Sequence, residues 1–196
     1  MDINLLESGY LELWIGPMFS GKTSAVIKEL TKMADTGWSV CLITHGLDTR
    51  EKMSHSSQNV GLTKITVLKS ENLDLDLSLF DVIGIDEAQF FPDLLKVVDL
   101  VDNQKKIVFV AGLDGDYKRK PIGKVLELIP FSDKTTKLSA KCHFCTDKWK
   151  SESKGNRFRL IVDSPFTART VNCEEQILIG AAEKYVSLCR YHYLNR

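Results

Sequence analysis

The stretch GPMFSGKT, Gly16 to Thr23, constrains this chain more than any other. Leu11, Leu13 and Ile15 alternate with Tyr10, Glu12 and Trp14 just before it, a strand signal that stops at Gly16. From Thr23 to Thr36 the apolar residues Val26, Ile27, Leu30, Met33 and Ala34 recur at helical spacing, and Gly37 stands where a C-terminal cap belongs. The loop between this strand and this helix fits G-x-x-x-x-G-K-[ST]. Glycine lets the backbone turn so that successive N–H groups face one hollow, where they surround phosphate oxygens. The helix start adds its positive end to the same hollow. Gly16, Pro17, Met18, Phe19, Ser20 and Gly21 therefore form a cradle for a nucleoside triphosphate. Lys22 can bridge the β- and γ-phosphates, and the Thr23 hydroxyl can ligate magnesium.

A second half of such a site is an acid at the end of a neighbouring strand. In FDVIGIDEAQF the apolar run Val82 to Ile85 ends on Asp86, with Glu87 next. Successive strand residues face opposite ways, but where the chain turns at a carboxyl edge both acids can approach the phosphate crevice. Asp86 is placed to hold magnesium directly or through water, which leaves Glu87 to take a proton. Whether that proton comes from water, as in an ATPase, or from a substrate hydroxyl, as in a kinase, spacing alone leaves open.

Further apolar runs at Val40 to Ile43, Ile65 to Leu68 and Ile107 to Ala111 read as buried strands. In FPDLLKVVDLVDNQ, Pro92 marks a helix start and Leu94, Leu95, Val98 and Val101 share one face. Alternating strands and helices predict an α/β fold of P-loop NTPase type, a parallel sheet with right-handed crossovers. The expected division is a nucleotide-binding domain over residues 1–136 and a small unit over 137–196. Residues 45–61 and 146–176, polar and without a period, are expected to be loops.

Twenty-six basic and twenty-six acidic side chains give a formal charge of zero, so no general field draws nucleic acid or an anionic membrane. The amino end has no basic segment followed by an apolar core, and the longest apolar run, 107–113, is too short to span a bilayer. A soluble, cytoplasmic protein is expected. Five cysteines do not pair evenly. Cys142 and Cys145 form a C-x-x-C, and Cys189 with His192 a C-x-x-H, which together suffice for a closed, structural zinc site. It would tie down the long segment between the pairs. His143 competes with His192 as fourth ligand, and a redox C-x-x-C is the alternative use. Cys41 and Cys173 have no assigned role, and His45 and His55 read as polar loop residues. The basic run KRKP, 118–121, reads as a solvated face, a targeting signal or part of a binding loop.

Six stretches in order, GPMFSGKT, DTR at 48–50, IDEAQFF at 85–91, GLDGDYKRKPIG at 112–123, KLSAKCHFC at 137–145 and IGAAEKYVSLCRYH at 179–192, resemble the type II thymidine kinases. The size is similar to the versions carried by large DNA viruses. The resemblance implies ATP and thymidine as substrates, magnesium as cofactor and a zinc-held lasso over the nucleoside. It makes Glu87 the base that deprotonates the thymidine 5′-hydroxyl, with Asp86 and Thr23 at the magnesium positions. Arg50 of DTR matches an arginine on the phosphates. Phe90, Leu113, Tyr117 and Ile122 match the thymine pocket, and Tyr185 a lasso tyrosine. It further implies a homodimer or homotetramer, and dTTP as feedback inhibitor. Gly180-Ala181 stands where the family carries paired glycines.

Overall fold

A computed structural model describes residues 8–47, 64–146 and 162–196 of the chain. Arg50 and His55 lie outside the described residues. Six strands, β1 (Tyr10–Gly16), β2 (Val40–His45), β3 (Thr66–Ser70), β4 (Val82–Ile85), β5 (Ile107–Leu113) and β6 (Lys134–Lys137), form one sheet in the order β3-β2-β4-β5-β1-β6. Every neighbouring pair runs parallel. The four inner strands are buried on both faces, which is why they read in the sequence as short unbroken apolar runs.

Period-two alternation splits their side chains between two cores. Leu11, Leu13, Ile15, Ile43, Ile83, Ile85, Val108 and Val110 face one side with Leu94, Val97 and Leu128. Trp14, Leu42, Val82, Phe109 and Ala111 face the other, where Val26, Leu30 and Ala34 of α1 (Lys22–Asp35) cover them. Each fully buried Leu, Ile or Val contributes about 1.5–3 kcal/mol of transfer free energy. Helix α1 ends as its sequence predicts: Gly37 N–H bonds to Ala34 O and Trp38 N–H to Met33 O, a Schellman turn with Gly37 at φ 94°.

Two expectations shift. The helix after Pro92 begins only at Lys96, as α2 (Lys96–Asp102), and it buries Val97, Leu100 and Val101 rather than Leu95 and Val98. A tight turn at 92–95 rotates the face by about one residue. His45 is not a loop residue: it ends β2, is buried, and packs edge-on against Phe91 with ring centroids 4.9 Å apart.

The carboxyl-terminal part is built on short pairings. β7 (Ala140–Lys141) meets β8 (Asp163–Ser164), and β9 (Phe166–Arg169) meets β10 (Tyr185–Leu188), both antiparallel. The stretch expected as a loop thus contains two strands, while residues 147–161 lie outside the described part. Helix α3 (Arg190–Leu194) closes the unit. Its core is small, with Cys142, Ala168, Leu188, Cys189 and Tyr193 buried. A core of that size seldom holds a fold alone. Among the described residues no helix is long and apolar enough to cross a membrane.

Candidate active site

Parallel strands deliver their loops to one edge. Gly16 pairs with Leu113 and Ile85 with Val110, so β1, β4 and β5 end side by side and their following residues share a crevice. The loop after β1 turns through Gly21 at φ 85°, the residue just before α1, a conformation that favours glycine. Phe19 also adopts a left-handed backbone, at φ 65°. The Pro17 carbonyl holds the turn, accepting from Ser20 Oγ at 2.8 Å and from Lys22 Nζ at 2.7 Å. A buried ammonium requires such partners, and here the loop supplies one itself.

Met18 is held from the other side. Its N–H donates to Thr167 Oγ1 at 2.9 Å, and its carbonyl accepts from Ser187 Oγ at 2.8 Å. Thr167 and Ser187 are buried and stand opposite each other on β9 and β10. The carboxyl-terminal hairpin therefore grips the phosphate-binding loop by both backbone groups of one residue.

At the end of β4, Asp86 is buried and its Oδ1 accepts from Thr23 Oγ1 at 3.0 Å. Two ligands at adjacent corners of an octahedral Mg²⁺ site, each about 2.0–2.1 Å from the ion, lie about 2.9 Å apart. The Thr23–Asp86 pair therefore fits magnesium. Glu87, next in sequence, sits at φ 52° and ψ 42°. A left-handed non-glycine residue costs about 1–2 kcal/mol, and such strain clusters at functional sites. The turn separates the two acids, and Glu87 Oε2 accepts from Gln89 Nε2 at 2.6 Å.

The five residues matched to a nucleoside pocket fall into two groups. Phe90 and Leu113 flank the Glu87 turn, with Phe90 also 5.5 Å from the His45 ring and Leu113 N–H donating to Gln89 Oε1 at 3.0 Å. Tyr117 and Tyr185 meet around Arg169, whose guanidinium stacks 3.9 Å from the Tyr117 ring and donates to Tyr185 Oη at 2.9 Å. Arg169 also donates to the carbonyls of Cys173, Glu175 and Gln176, curling the segment between β9 and β10 around one planar cation. Ile122 is buried in the loop after β5.

The ligand atoms of Cys142, Cys145, Cys189 and His192 all lie within 4.8 Å of one another. The three sulfurs are 3.4, 3.5 and 3.4 Å from His192 Nδ1. Tetrahedral zinc, with bonds of about 2.3 Å to sulfur and 2.0–2.1 Å to nitrogen, sets an S···N edge of about 3.6 Å, so the donor set fits zinc. His143 packs on Phe144 and is not part of this cluster. Burial works against the Cys142 thiolate, but the backbone N–H groups of Cys189 and Cys145 and the His192 ring bring its pKa down to about 7. Burial and the neighbouring Cys142 and Cys189 sulfurs push Cys145 up to about 12.

A family model described as thymidine kinase matches residues 9–193. The chain belongs to the thymidine kinase family. It is 37% identical over 202 residues to "Thymidine kinase a" of Arabidopsis thaliana, covering 98% of this chain and 78% of that one. Against the thymidine kinase of rice, Oryza sativa subsp. japonica, the figures are 38% over 196 residues, 95% and 67%. Against that of Sheeppox virus (strain KS-1) they are 35% over 191 residues, 96% and 98%. Plant and poxviral relatives match at similar identity.

Several residues of this thymidine kinase family site were given no role by the sequence: Thr167 and Arg169 lie outside every flagged stretch, and Gln89, Ser187 and Arg119 lie inside flagged stretches whose other residues carried the reading. Arg119 sits at φ 63°. Its guanidinium lies 4.7 Å from the Tyr193 ring and 5.5 Å from Phe166, while Asp116 Oδ1 accepts the N–H groups of Lys118 and Lys120 at 2.8 Å. Arg119 of the KRKP run thus reaches over two rings of the carboxyl-terminal unit, while all four residues of the run, 118–121, are exposed, as a solvated face requires.

Proposed function

We propose that this thymidine kinase family chain transfers the γ-phosphoryl group of ATP to the 5′-hydroxyl of thymidine, giving dTMP and ADP. The observation that carries the reading is the Thr23–Asp86 contact at the mouth of the phosphate loop, with Glu87 next to it on a strained turn. The loop N–H groups and Lys22 bind the β- and γ-phosphates, and Arg50 adds a fixed positive charge where negative charge grows. Thr23 and Asp86 would hold magnesium, which when bound neutralises phosphate charge. Glu87 takes the proton of the 5′-hydroxyl as its oxygen bonds to the γ-phosphorus and the bond to the β–γ bridging oxygen breaks, releasing ADP.

Phe90, Leu113, Tyr117 and Ile122, with Tyr185, enclose the thymine, and the lasso backbone reads its edge. Cys142, Cys145, Cys189 and His192 would hold a structural zinc that pins the lasso hairpin. The reading divides the chain into a nucleotide-binding domain over 1–136 and a lasso domain over 137–196. It takes the enzyme to be a cytoplasmic homodimer or homotetramer inhibited by dTTP, expectations that rest on the family resemblance.

The experiment supplies ATP, Mg²⁺ and each nucleoside separately and looks for monophosphate. Thymidine-preferring product is expected, and Glu87→Gln is expected to lower turnover by about 10²-fold or more while ATP binding persists. Phosphate release without nucleoside product, rising on added DNA, would replace this reading with a nucleic-acid-dependent ATPase.

A further inference from the structure

Glu87 is unusual in how little of its own local structure directs it. It sits in a single left-handed turn between β4 and a three-residue 3₁₀ helix, Ala88–Phe90, so neither a ladder nor a helical turn orients its side chain. Residues i and i+2 do not face each other on a helix. Here they do, because the left-handed backbone at Glu87 swings the carboxylate back over Gln89, and the two side chains meet at 2.6 Å.

Gln89 is 4% exposed. A buried amide must satisfy both of its ends, and at Gln89 each end has one specific partner. The Leu113 backbone N–H can only donate, so the atom facing it at 3.0 Å is the amide oxygen. That assignment turns the amide nitrogen toward Glu87, where an ionised carboxylate can only accept. The flipped amide would set donor against donor and acceptor against acceptor, so one orientation survives. The backbone under Gln89 is fixed as well: Gly123, at φ 57°, packs its Cα so close to the Gln89 carbonyl that a Cβ there would overlap it. Phe90 N–H closes the turn on Glu87 O at 3.0 Å.

We propose that Gln89 is a positioning residue for the phosphoryl transfer: its amide fixes the rotation of the Glu87 carboxylate and ties it to Leu113, where the nucleoside-pocket loop leaves β5. The role rests on Glu87 being the base of the proposed reaction. A hydrogen bond to an ionised acceptor is short and strong, and a reacting group displaced by about 1 Å can lose roughly 10²-fold in rate.

The test is a kinetic double-mutant cycle on the full-length, zinc-loaded chain. Gln89→Leu removes both contacts. Gln89→Glu keeps an oxygen for Leu113 N–H and sets a second carboxyl against Glu87, so the donor is lost once both ionise and its kcat is read above the pH at which the pair gives up its shared proton; a thermal melt checks that the chain folds. Both single variants are expected to lose about 10- to 10²-fold in kcat, with KM for ATP and thymidine within about 3-fold of the parent. In the Glu87→Gln background each is expected to cost at most about 2-fold more, because nothing remains to be positioned. Losses that multiply in the double variants, or a folded Gln89→Glu with parental kcat, would overturn the role of Gln89 and leave Glu87 as base. Parental turnover of Glu87→Gln itself would overturn both.

Discussion

Stripping the metal from the Cys142, Cys145, Cys189 and His192 cluster should unfold one part of this protein and loosen a second part that contains none of its ligands. The cluster closes a loop of about 44 residues between Cys145 and Cys189. By the chain-entropy relation for a cross-link of that length, the closure contributes about 4 kcal/mol. The unit it closes has two large apolar side chains in its buried core, Leu188 and Tyr193, worth about 1.5–3 kcal/mol each. Ordering a single residue costs about 1–2 kcal/mol in backbone entropy alone. Without the metal the balance turns against β7–β10, while the six-stranded sheet keeps its own two cores.

The consequence reaches the phosphate loop through Thr167 and Ser187. Losing the two part-buried hydrogen bonds to Met18 removes about 1–3 kcal/mol of constraint on that loop, on the order of a tenfold loss in affinity for a nonhydrolysable ATP analogue. Hydrogen exchange followed by mass spectrometry should show β9 and β10 amides exposed by chelation and β1, β4 and β5 amides still protected. Calorimetry on the same samples reads the analogue. If chelation removes one zinc per chain yet leaves β9–β10 protection and analogue affinity as they were, the metal is not what holds the hairpin on the loop.

Substituting the two clamping hydroxyls directly, Thr167→Val with Ser187→Ala, should weaken ATP-analogue binding by a similar factor while zinc content by elemental analysis stays unchanged. Gly123→Ala must place a Cβ against the Gln89 carbonyl at a left-handed φ, so we expect a loss of about 2 kcal/mol or more in chemical denaturation and a drop in kcat through the displaced Glu87 turn. Asp86→Asn should raise the Mg²⁺ concentration required for half-maximal turnover by about tenfold or more, read by magnesium titration. Zinc affinity should fall throughout the descent from pH 8 and more steeply below about 7, because Cys145, pushed up to about 12, must shed its proton across that whole range and Cys142, held near 7, adds a second proton within it. A zinc-chelator competition between pH 6 and 8 measures the slope.

The parts of this site that were legible in the sequence are those whose chemistry demands neighbouring residues. A phosphate cradle needs its glycines, lysine and threonine in one loop, an acid pair must follow its strand directly, and a tetrahedral site needs short ligand pairs. The sheet was legible for a related reason, since strands buried on both faces leave unbroken apolar runs. What escaped is held by pairing over distance. Thr167 and Ser187 contact a residue 149 and 169 positions away, and both are ordinary polar residues. FTAR fell within the stretch expected as a loop and YVSL was given no strand because both are short, and such pairs gain their β character from the partner strand and not from their own pattern. The helix after Pro92 was displaced because periodicity locates a face only when the start is known, and the turn at 92–95 moved the start.

These long-range contacts explain how two sites far apart in sequence become one. Thr167 and Ser187 stand two register positions from the pair that bounds the lasso, Arg169 opposite Tyr185, with Ala168 opposite Val186 between them. On one side of that middle pair the hairpin grips Met18. On the other, Arg169 collects three lasso carbonyls and the Tyr185 hydroxyl around its guanidinium. A rigid two-stranded hairpin cannot shift one of these ends without the other, so the loop proposed to hold ATP and the loop proposed to hold thymidine take their positions from the same three residues of β9 and three of β10. Phosphoryl transfer requires acceptor oxygen and phosphorus to approach within about 3–3.5 Å. Thymidine that orders the lasso would therefore also tighten the phosphate loop through Met18, and the two substrates are expected to bind with positive cooperativity, of about 5-fold or more, that disappears in the Thr167→Val, Ser187→Ala chain. Equal cooperativity in the parent and in that variant would show that the hairpin does not couple the sites.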